Sequence, residues 1–75
     1  MYYRLFDKQT GRYMSTGYNV TSKKELKNDI LSYVSVDTDK EEMKKLGELK
    51  VEDIANIMDF EIENQKNKFD EEENN

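Results

Sequence analysis

Residues 2–20 read YYRLFDKQTGRYMSTGYNV, and this stretch decides the fold. Its first five residues are mostly aromatic or apolar and suit a pleated strand. The next five, DKQTG at 7–11, form a turn signal, because an aspartate accepts backbone hydrogen bonds ahead of it and a glycine tolerates positive φ. Residues 12–18 would return as a second strand, in which Gly17 predicts a bulge or a close backbone approach. The stretch therefore predicts a β-hairpin.

Alternation along the first strand separates its side chains into two faces. Tyr3 and Leu5 share one face, whereas Tyr2, Arg4 and Phe6 share the other. Packing is the usual role of aromatic side chains at strand spacing. We therefore expect one face to lie beneath helices and the other to shield the sheet from water.

The same hairpin is a candidate binding surface, because it holds four of the five tyrosines of the chain. Exposed tyrosines beside arginines could stack single-stranded nucleic-acid bases. Tyrosine and arginine are also favoured anchors of protein–protein contacts. The candidate contact residues of the hairpin are Tyr2, Arg4, Tyr13 and Tyr18.

The length and composition of the chain restrict its chemistry. Its 75 residues make one domain, and a chain of this size buries only about 60% of the surface that its unfolded form exposes. The absence of cysteine and histidine removes thiolates, disulfides and the most common general base. Its three glycines stand apart, so no phosphate-binding loop is present. We expect a non-enzymatic protein with no catalytic residue, no cofactor and no metal.

The sequence also predicts where the chain acts. Every apolar run is far shorter than the roughly 20 residues that span a bilayer. The first residues, MYYR, lack the apolar core of a signal peptide, and the absence of cysteine is compatible with a reducing compartment. We expect a soluble cytoplasmic protein with no membrane partner.

Charge is distributed unevenly along the sequence, whose net charge is −5. Residues 1–28 carry +4, whereas residues 29–75 carry six lysines and fifteen acids, which give −9. An acidic balance disfavours binding to a phosphate backbone and permits binding to a basic protein surface. A merely solvated surface is the simplest interpretation of the same acids.

A helix is predicted over residues 23–35. Ser22 as N-cap, with Glu25 three residues later, forms a capping-box pattern. The apolar stripe that follows has helical spacing and should lie on the hairpin. Its members are Leu26, Ile30, Tyr33 and Val34, with Leu31 beside them.

A short second helix is predicted over residues 39–46, with Thr38 and Glu41 at capping-box spacing and Gly47 as a left-handed C-terminal residue. The acids at positions 37, 39, 41 and 48 match the ligand offsets of a calcium-binding loop. However, Glu42 replaces the glycine that such a loop needs, and lysines lie among the acids. An exposed acidic helix start is the better interpretation.

The segment from residue 51 onward allows two interpretations. Apolar residues at 51, 54, 55 and 58 predict a third helix, and one long helix could continue to Phe69. Residues 59–63, DFEIE, instead alternate polar and apolar side chains. We favour a strand there, because a third strand stabilises a small sheet and would place Phe60 and Ile62 on its core face.

The chain beyond residue 64 is polar and ends in DEEENN at 70–75. Such a composition cannot support a packed core, so we expect residues 65–75 to form a disordered acidic tail. Residues 1–64 would form a single α+β domain. Its predicted architecture is a small antiparallel sheet packed by two to three helices, in the order β-β-α-α-β.

The layout of the sequence resembles that of a group of known proteins. The string YYRLFDKQTGRYMSTGYN, then TSKKELKNDILSYVS and a late VEDIANIMDFEIE, is similar to small accessory proteins encoded by phages and prophages of low-GC Gram-positive bacteria. The resemblance extends to about Glu63. It implies a phage or mobile-element origin and action on a host protein, and small acidic proteins of this kind include DNA-mimicking inhibitors such as anti-CRISPR proteins.

Three functions remain open. The one we favour is a non-enzymatic accessory protein that binds a host protein. The second is an acidic DNA mimic that inhibits a nucleic-acid-binding protein. The acids that would carry this mimicry are Asp37, Asp39, Glu41, Glu42, Glu48, Glu52 and Asp53. The third is a single-stranded nucleic-acid-binding module that uses the tyrosine-rich hairpin, although the acidic charge makes nucleic acid a less favoured partner. Exposed sheet edges and a small core would also suit a homodimer.

Overall fold

The computed structural model describes residues 1–70. Its elements are strands β1 (Tyr2–Asp7), β2 (Arg12–Tyr13) and β3 (Phe60–Gln65), helices α1 (Lys23–Val34), α2 (Lys40–Gly47) and α3 (Val51–Met58), and a 3-10 turn (Ser35–Asp37) after α1. The strands form one antiparallel sheet in the order β2-β1-β3. The predicted α+β class is confirmed, with three helices between β2 and β3.

The β1–β2 hairpin closes through the turn that the sequence predicts. The amide of Gly11 donates to the carbonyl of Asp7 at 2.8 Å, and the Asp7 carboxylate accepts from the amide of Gln9 at 3.0 Å. Gly11 has a φ of +72°, which glycine adopts at little steric cost. Asp7 and Arg12 then pair as the first residues across the hairpin.

The returning strand β2 ends at Tyr13 and is therefore shorter than the strand predicted over residues 12–18. The chain turns after β2, and Val20 then makes an isolated bridge to Tyr3. Within this turn Gly17 lies directly on the core, where an added Cβ would be 2.6 Å from Cδ1 of Leu26. The predicted close approach of Gly17 is confirmed, but Tyr18 lies in a turn and not in a strand.

Helix α1 begins as predicted and buries a narrower stripe than predicted. The Ser22 hydroxyl oxygen accepts from the amide of Glu25 at 3.1 Å, which caps the helix. Leu26 and Ile30 are fully buried. Tyr33, a predicted member of the buried stripe, is 52% exposed because it lies at the edge of that stripe. Its ring centre lies 6.2 Å from that of Phe60.

Helix α2 has different ends from those that the sequence suggests. Its N-cap is Asp39, whose carboxylate accepts from the amide of Glu42 at 2.9 Å. The Thr38 hydroxyl donates instead to the carbonyl of Val34, which holds the start of α2 against the end of α1. Gly47 has no positive φ. The predicted left-handed glycine cap is wrong, because Glu48 continues the helical turn with its amide on Leu46 and Lys45 carbonyls.

Helix α3 ends at Asp59, and this residue separates it from β3. Asp59 has a φ of +65°, and its amide donates to the carbonyls of Ala55 and Asn56. Aspartate is one of the few residues that tolerate this left-handed region. β3 then pairs with β1 along its whole length, from Phe60 opposite Asp7 to Gln65 opposite Tyr2. The predicted strand is confirmed, and the single long helix is excluded.

The core lies between the helices and one face of the sheet. It is made of Leu5, Leu26, Ile30, Val34, Leu46, Val51, Ile54, Ala55 and Phe60. Leu5 and Ile62 face each other across β1 and β3, and Ile62 packs against this cluster with Tyr3. The face assignments predicted for β1 and β3 therefore hold.

The chain after β3 returns to the opposite face of the sheet. Phe69 is only 7% exposed. The side chain of Asn19 accepts from the Phe69 amide at 2.8 Å and donates to the Phe69 carbonyl at 3.1 Å, and the Tyr18 hydroxyl donates to the carbonyl of Asp70 at 2.9 Å. Residues 69 and 70 of the predicted tail therefore contact the rest of the fold. Residues 71–75 of the predicted tail lie outside the described residues.

Candidate protein-binding groove

The outer face of the sheet is filled by side chains of the chain itself. Arg4 is 9% exposed, and its guanidinium carbon lies 3.8 Å from the centre of the Tyr13 ring and 4.1 Å from that of Phe69. Its Nε donates to the Glu63 carboxylate at 2.8 Å, which also accepts from the Tyr13 hydroxyl at 3.1 Å. Cation–π contacts and charge-assisted hydrogen bonds stabilise such a cluster. Arg4 and Tyr13 are thus brought together as packing residues.

The two other predicted contact residues of the hairpin, Tyr2 and Tyr18, are half-buried. Tyr18 lies with its ring centre 6.3 Å from that of Phe69, and half-buried Tyr2 pairs with Gln65 at the end of the sheet. Base stacking needs aromatic faces that are open to a ligand. The arrangement supports packing as the role of this face and gives little support to a nucleic-acid platform.

The seven acids proposed for DNA mimicry are all exposed, but some of them have structural roles. Asp39 caps α2. Glu52 accepts from the Lys23 ammonium at 2.6 Å, and this hydrogen bond lowers the pKa of the Glu52 carboxyl and raises the pKa of Lys23. Exposed lysines at positions 40, 44, 45 and 50 interrupt the acids. The surface is therefore a mixture of charges.

The described part of the chain offers neither a metal site nor a membrane-spanning helix. Within residues 1–70, no three carboxylates approach one another closely enough to hold a metal ion, so the acids at calcium-loop spacing are not gathered into a ligand set. No helix over the same residues has the length and apolar character needed to cross a bilayer.

An open apolar groove of about 500 Å³ lies where the C-terminal ends of α1 and α3 meet the 3-10 turn. It is lined by Tyr33, Val34, Val36, Asp37, Thr38 and Met58. Among these lining residues, Val36 is 83% exposed and Tyr33 is 52% exposed. Large apolar side chains are therefore presented to solvent at one concave place.

The walls of this groove are fixed by local hydrogen bonds and by the core. The Thr38 hydroxyl bonds the Val34 carbonyl at 2.6 Å, and the Ser35 hydroxyl bonds the Ser32 carbonyl at 2.8 Å. The Tyr33 ring meets the Phe60 ring edge-on at 6.2 Å. Side chains that are held in this way lose little conformational freedom when a partner binds.

The rim of the groove has negative electrostatic character. α1 and α3 both end there, and a helix C-terminus carries a partial negative charge. Neither helix has a basic residue in its last turn, whereas α2 has Lys44 and Lys45 in its own. The groove lining also includes one acid, Asp37. The site therefore combines an apolar floor with a negative rim.

Only part of this site is predictable from the sequence. Asp37 is the one predicted site residue that lines the groove, whereas Tyr33 is a predicted core residue and Val36 belongs to neither set. The signal for Val36 is an apolar side chain within the polar segment SVDTD. No protein-family model, curated protein or solved structure matches the chain.

Proposed function

We propose that this chain is a non-enzymatic accessory protein that acts by binding another protein through the groove at the ends of α1 and α3. The observation that carries the proposal is the cluster of exposed apolar side chains there, led by Val36 and Tyr33. Charged residues make up 39% of the sequence, so apolar residues gathered at one concave place stand out from the rest. Concave apolar sites of about this volume are where proteins usually bind other molecules.

The resemblance to phage and prophage accessory proteins supports a host protein as the partner. Small proteins of that group act by occupying a surface on a host component, which requires a preformed contact site and no catalytic apparatus. We propose the host cytoplasm as the place of action.

A second candidate function is inhibition of a nucleic-acid-binding protein by DNA mimicry. One observation favours it, namely that all seven acids of the mimic hypothesis are solvent-exposed. Attraction between exposed charges is screened by salt. Partner binding that decreases steeply as salt increases would favour mimicry, whereas binding through an apolar groove should depend on salt much less.

Affinity capture with the tagged full chain tests the proposal. Lysate of a low-GC Gram-positive bacterium, with and without nuclease treatment, would be applied to the wild type, to Val36→Glu and to Asn28→Glu. Asn28→Glu is the control, because it adds the same negative charge as Val36→Glu at an exposed position of α1 that does not line the groove. We expect one protein in stoichiometric amount with the wild type and Asn28→Glu, and its loss with Val36→Glu.

Two results would contradict the proposal. Recovery that disappears with nuclease treatment would mean that nucleic acid mediates the interaction. Equal recovery by Val36→Glu and the wild type would place the contact surface outside the groove.

A further inference from the structure

We infer that the groove recognises a basic amphipathic helix, whose apolar side chain enters the groove and whose lysines or arginines meet its rim. This inference rests on the proposed function and specifies the chemistry of the partner. Helices that bind in grooves insert apolar anchors at helical spacing. The apolar lining from Tyr33, Val36 and Met58 provides the surface for such an anchor.

The sign of the partner's charge follows from two features of the groove. Its lining includes one acid, Asp37, and no basic residue. The 12-residue α1 and the 8-residue α3 both end at the groove, without a basic residue in the last turn of either. Each feature favours a cation next to the apolar anchor.

The same features exclude other occupants. Nucleic acid and anionic lipid surfaces carry negative charge, and a negative rim repels them. A wholly apolar segment would leave the Asp37 carboxylate without a partner at the edge of a desolvated contact, which costs free energy. A helix with an apolar stripe flanked by lysines or arginines satisfies both parts of the site.

A titration with two synthetic peptides tests the inference. Both peptides carry leucines at helical spacing, and their polar positions are lysine in one and glutamate in the other. The ¹⁵N-labelled full chain is titrated with each peptide. We expect the lysine peptide to shift the amide signals of residues 33–38 and 58, and the glutamate peptide to leave them unchanged.

Variants separate recognition at the groove from general attraction to an acidic protein. Val36→Ser should weaken the lysine peptide about tenfold, because one exposed apolar contact is lost. Asp37→Lys should weaken it about fivefold. Glu48→Lys makes the same charge change at the opposite end of α2 from the groove, because the eight residues of α2 span about 12 Å. This control variant should change the affinity less than twofold.

Several outcomes would overturn the inference. They are equal weakening by Asp37→Lys and Glu48→Lys, shifts confined to residues outside the groove, and no binding of the lysine peptide. If Val36→Glu abolishes capture of a protein but neither peptide binds, the proposed function stands and the inference fails. If the lysine peptide binds at the groove but no protein is captured, the proposed function fails and the charge preference of the groove stands.

Discussion

Gly17 brings the backbone directly against the core. Its φ is +71°, and a Cβ there would meet Leu26 at 2.6 Å and Leu5 at 3.3 Å. Gly11 has nearly the same φ, +72°, but open space around it. Alanine substitutions at the two glycines therefore distinguish the free-energy cost of a left-handed backbone from the cost of overpacking the core.

Gly17→Ala should lower the free energy of unfolding by about 2–4 kcal/mol, because backbone strain and overpacking add. Gly11→Ala should lower it by only about 1 kcal/mol, from the backbone alone. Urea unfolding of both variants measures the difference. Equal losses would contradict the close packing of Gly17.

Asp59 shares the left-handed backbone of the two glycines but carries a side chain. Its φ is +65° at the C-terminus of α3, where its negative charge also opposes the helix dipole. Asp59→Gly should raise the free energy of unfolding by roughly 0.5–1 kcal/mol, because glycine relieves the left-handed conformation. Chemical denaturation checks this, and a loss of stability would mean that the Asp59 carboxylate makes a stabilising contact.

The segment after β3, residues 66–70, differs most from what the sequence predicts. Phe69 stacks on Arg4, and its backbone is held by both polar groups of the Asn19 side chain. Phe69→Ala should lower the free energy of unfolding by about 3 kcal/mol. Lys68→Ala, one residue earlier and exposed, should remain within about 0.5 kcal/mol of the wild type. A similarly small effect of Phe69→Ala would show that the segment does not contribute to the fold.

Lys23 and Glu52 tie the start of α1 to α3 through one exposed ion pair. The hydrogen bond to Lys23 lowers the pKa of Glu52, so the contribution of Glu52 is complete above its unfolded-state pKa and is lost as pH falls through the lower folded-state value. The pKa of Lys23 is raised by Glu52. The contribution of Lys23 is complete below its unfolded-state pKa and is lost as pH rises through the folded-state value.

Lys23→Met should therefore lower the thermal midpoint slightly at neutral pH. The difference from the wild type should vanish in acid and decrease at high salt, because both side chains are exposed to solvent. Thermal unfolding across pH and salt measures this. A difference that persists unchanged in acid would assign the effect to lost packing of the lysine stem.

Elements with strong local signals were predictable from the sequence. The turn around Gly11, the cap of α1 at Ser22 and the alternation of β3 each depend on neighbouring residues. The short β2 and the packed C-terminal segment were not predictable, because they depend on contacts across the fold, between Gly17 and Leu26 and between Asn19 and Phe69. The left-handed conformation of Asp59 ends α3 after Met58. It explains why the apolar spacing that suits one long helix does not continue as a helix.

The groove depends on how the elements of the fold pack together. Its lining comes from residues 33–38 and from Met58, which meet only because α1 packs against α3. Sequence alone places Asp37 among the acids of a charged surface and gives no reason to separate it from the others. In the structure it is the acid beside the exposed apolar residues. A homodimer remains a prediction, which sedimentation equilibrium of the full chain would decide.

Site-specific photo-crosslinking tests most directly whether the groove binds a protein. A photoreactive residue would replace exposed Val36 in one variant and exposed Arg12, on the β2 edge of the sheet, in another. Both variants would be irradiated in nuclease-treated bacterial lysate. We predict one discrete protein adduct from position 36 and none from position 12. An adduct from position 12 alone would contradict the groove as the binding site and would make the sheet the interaction surface.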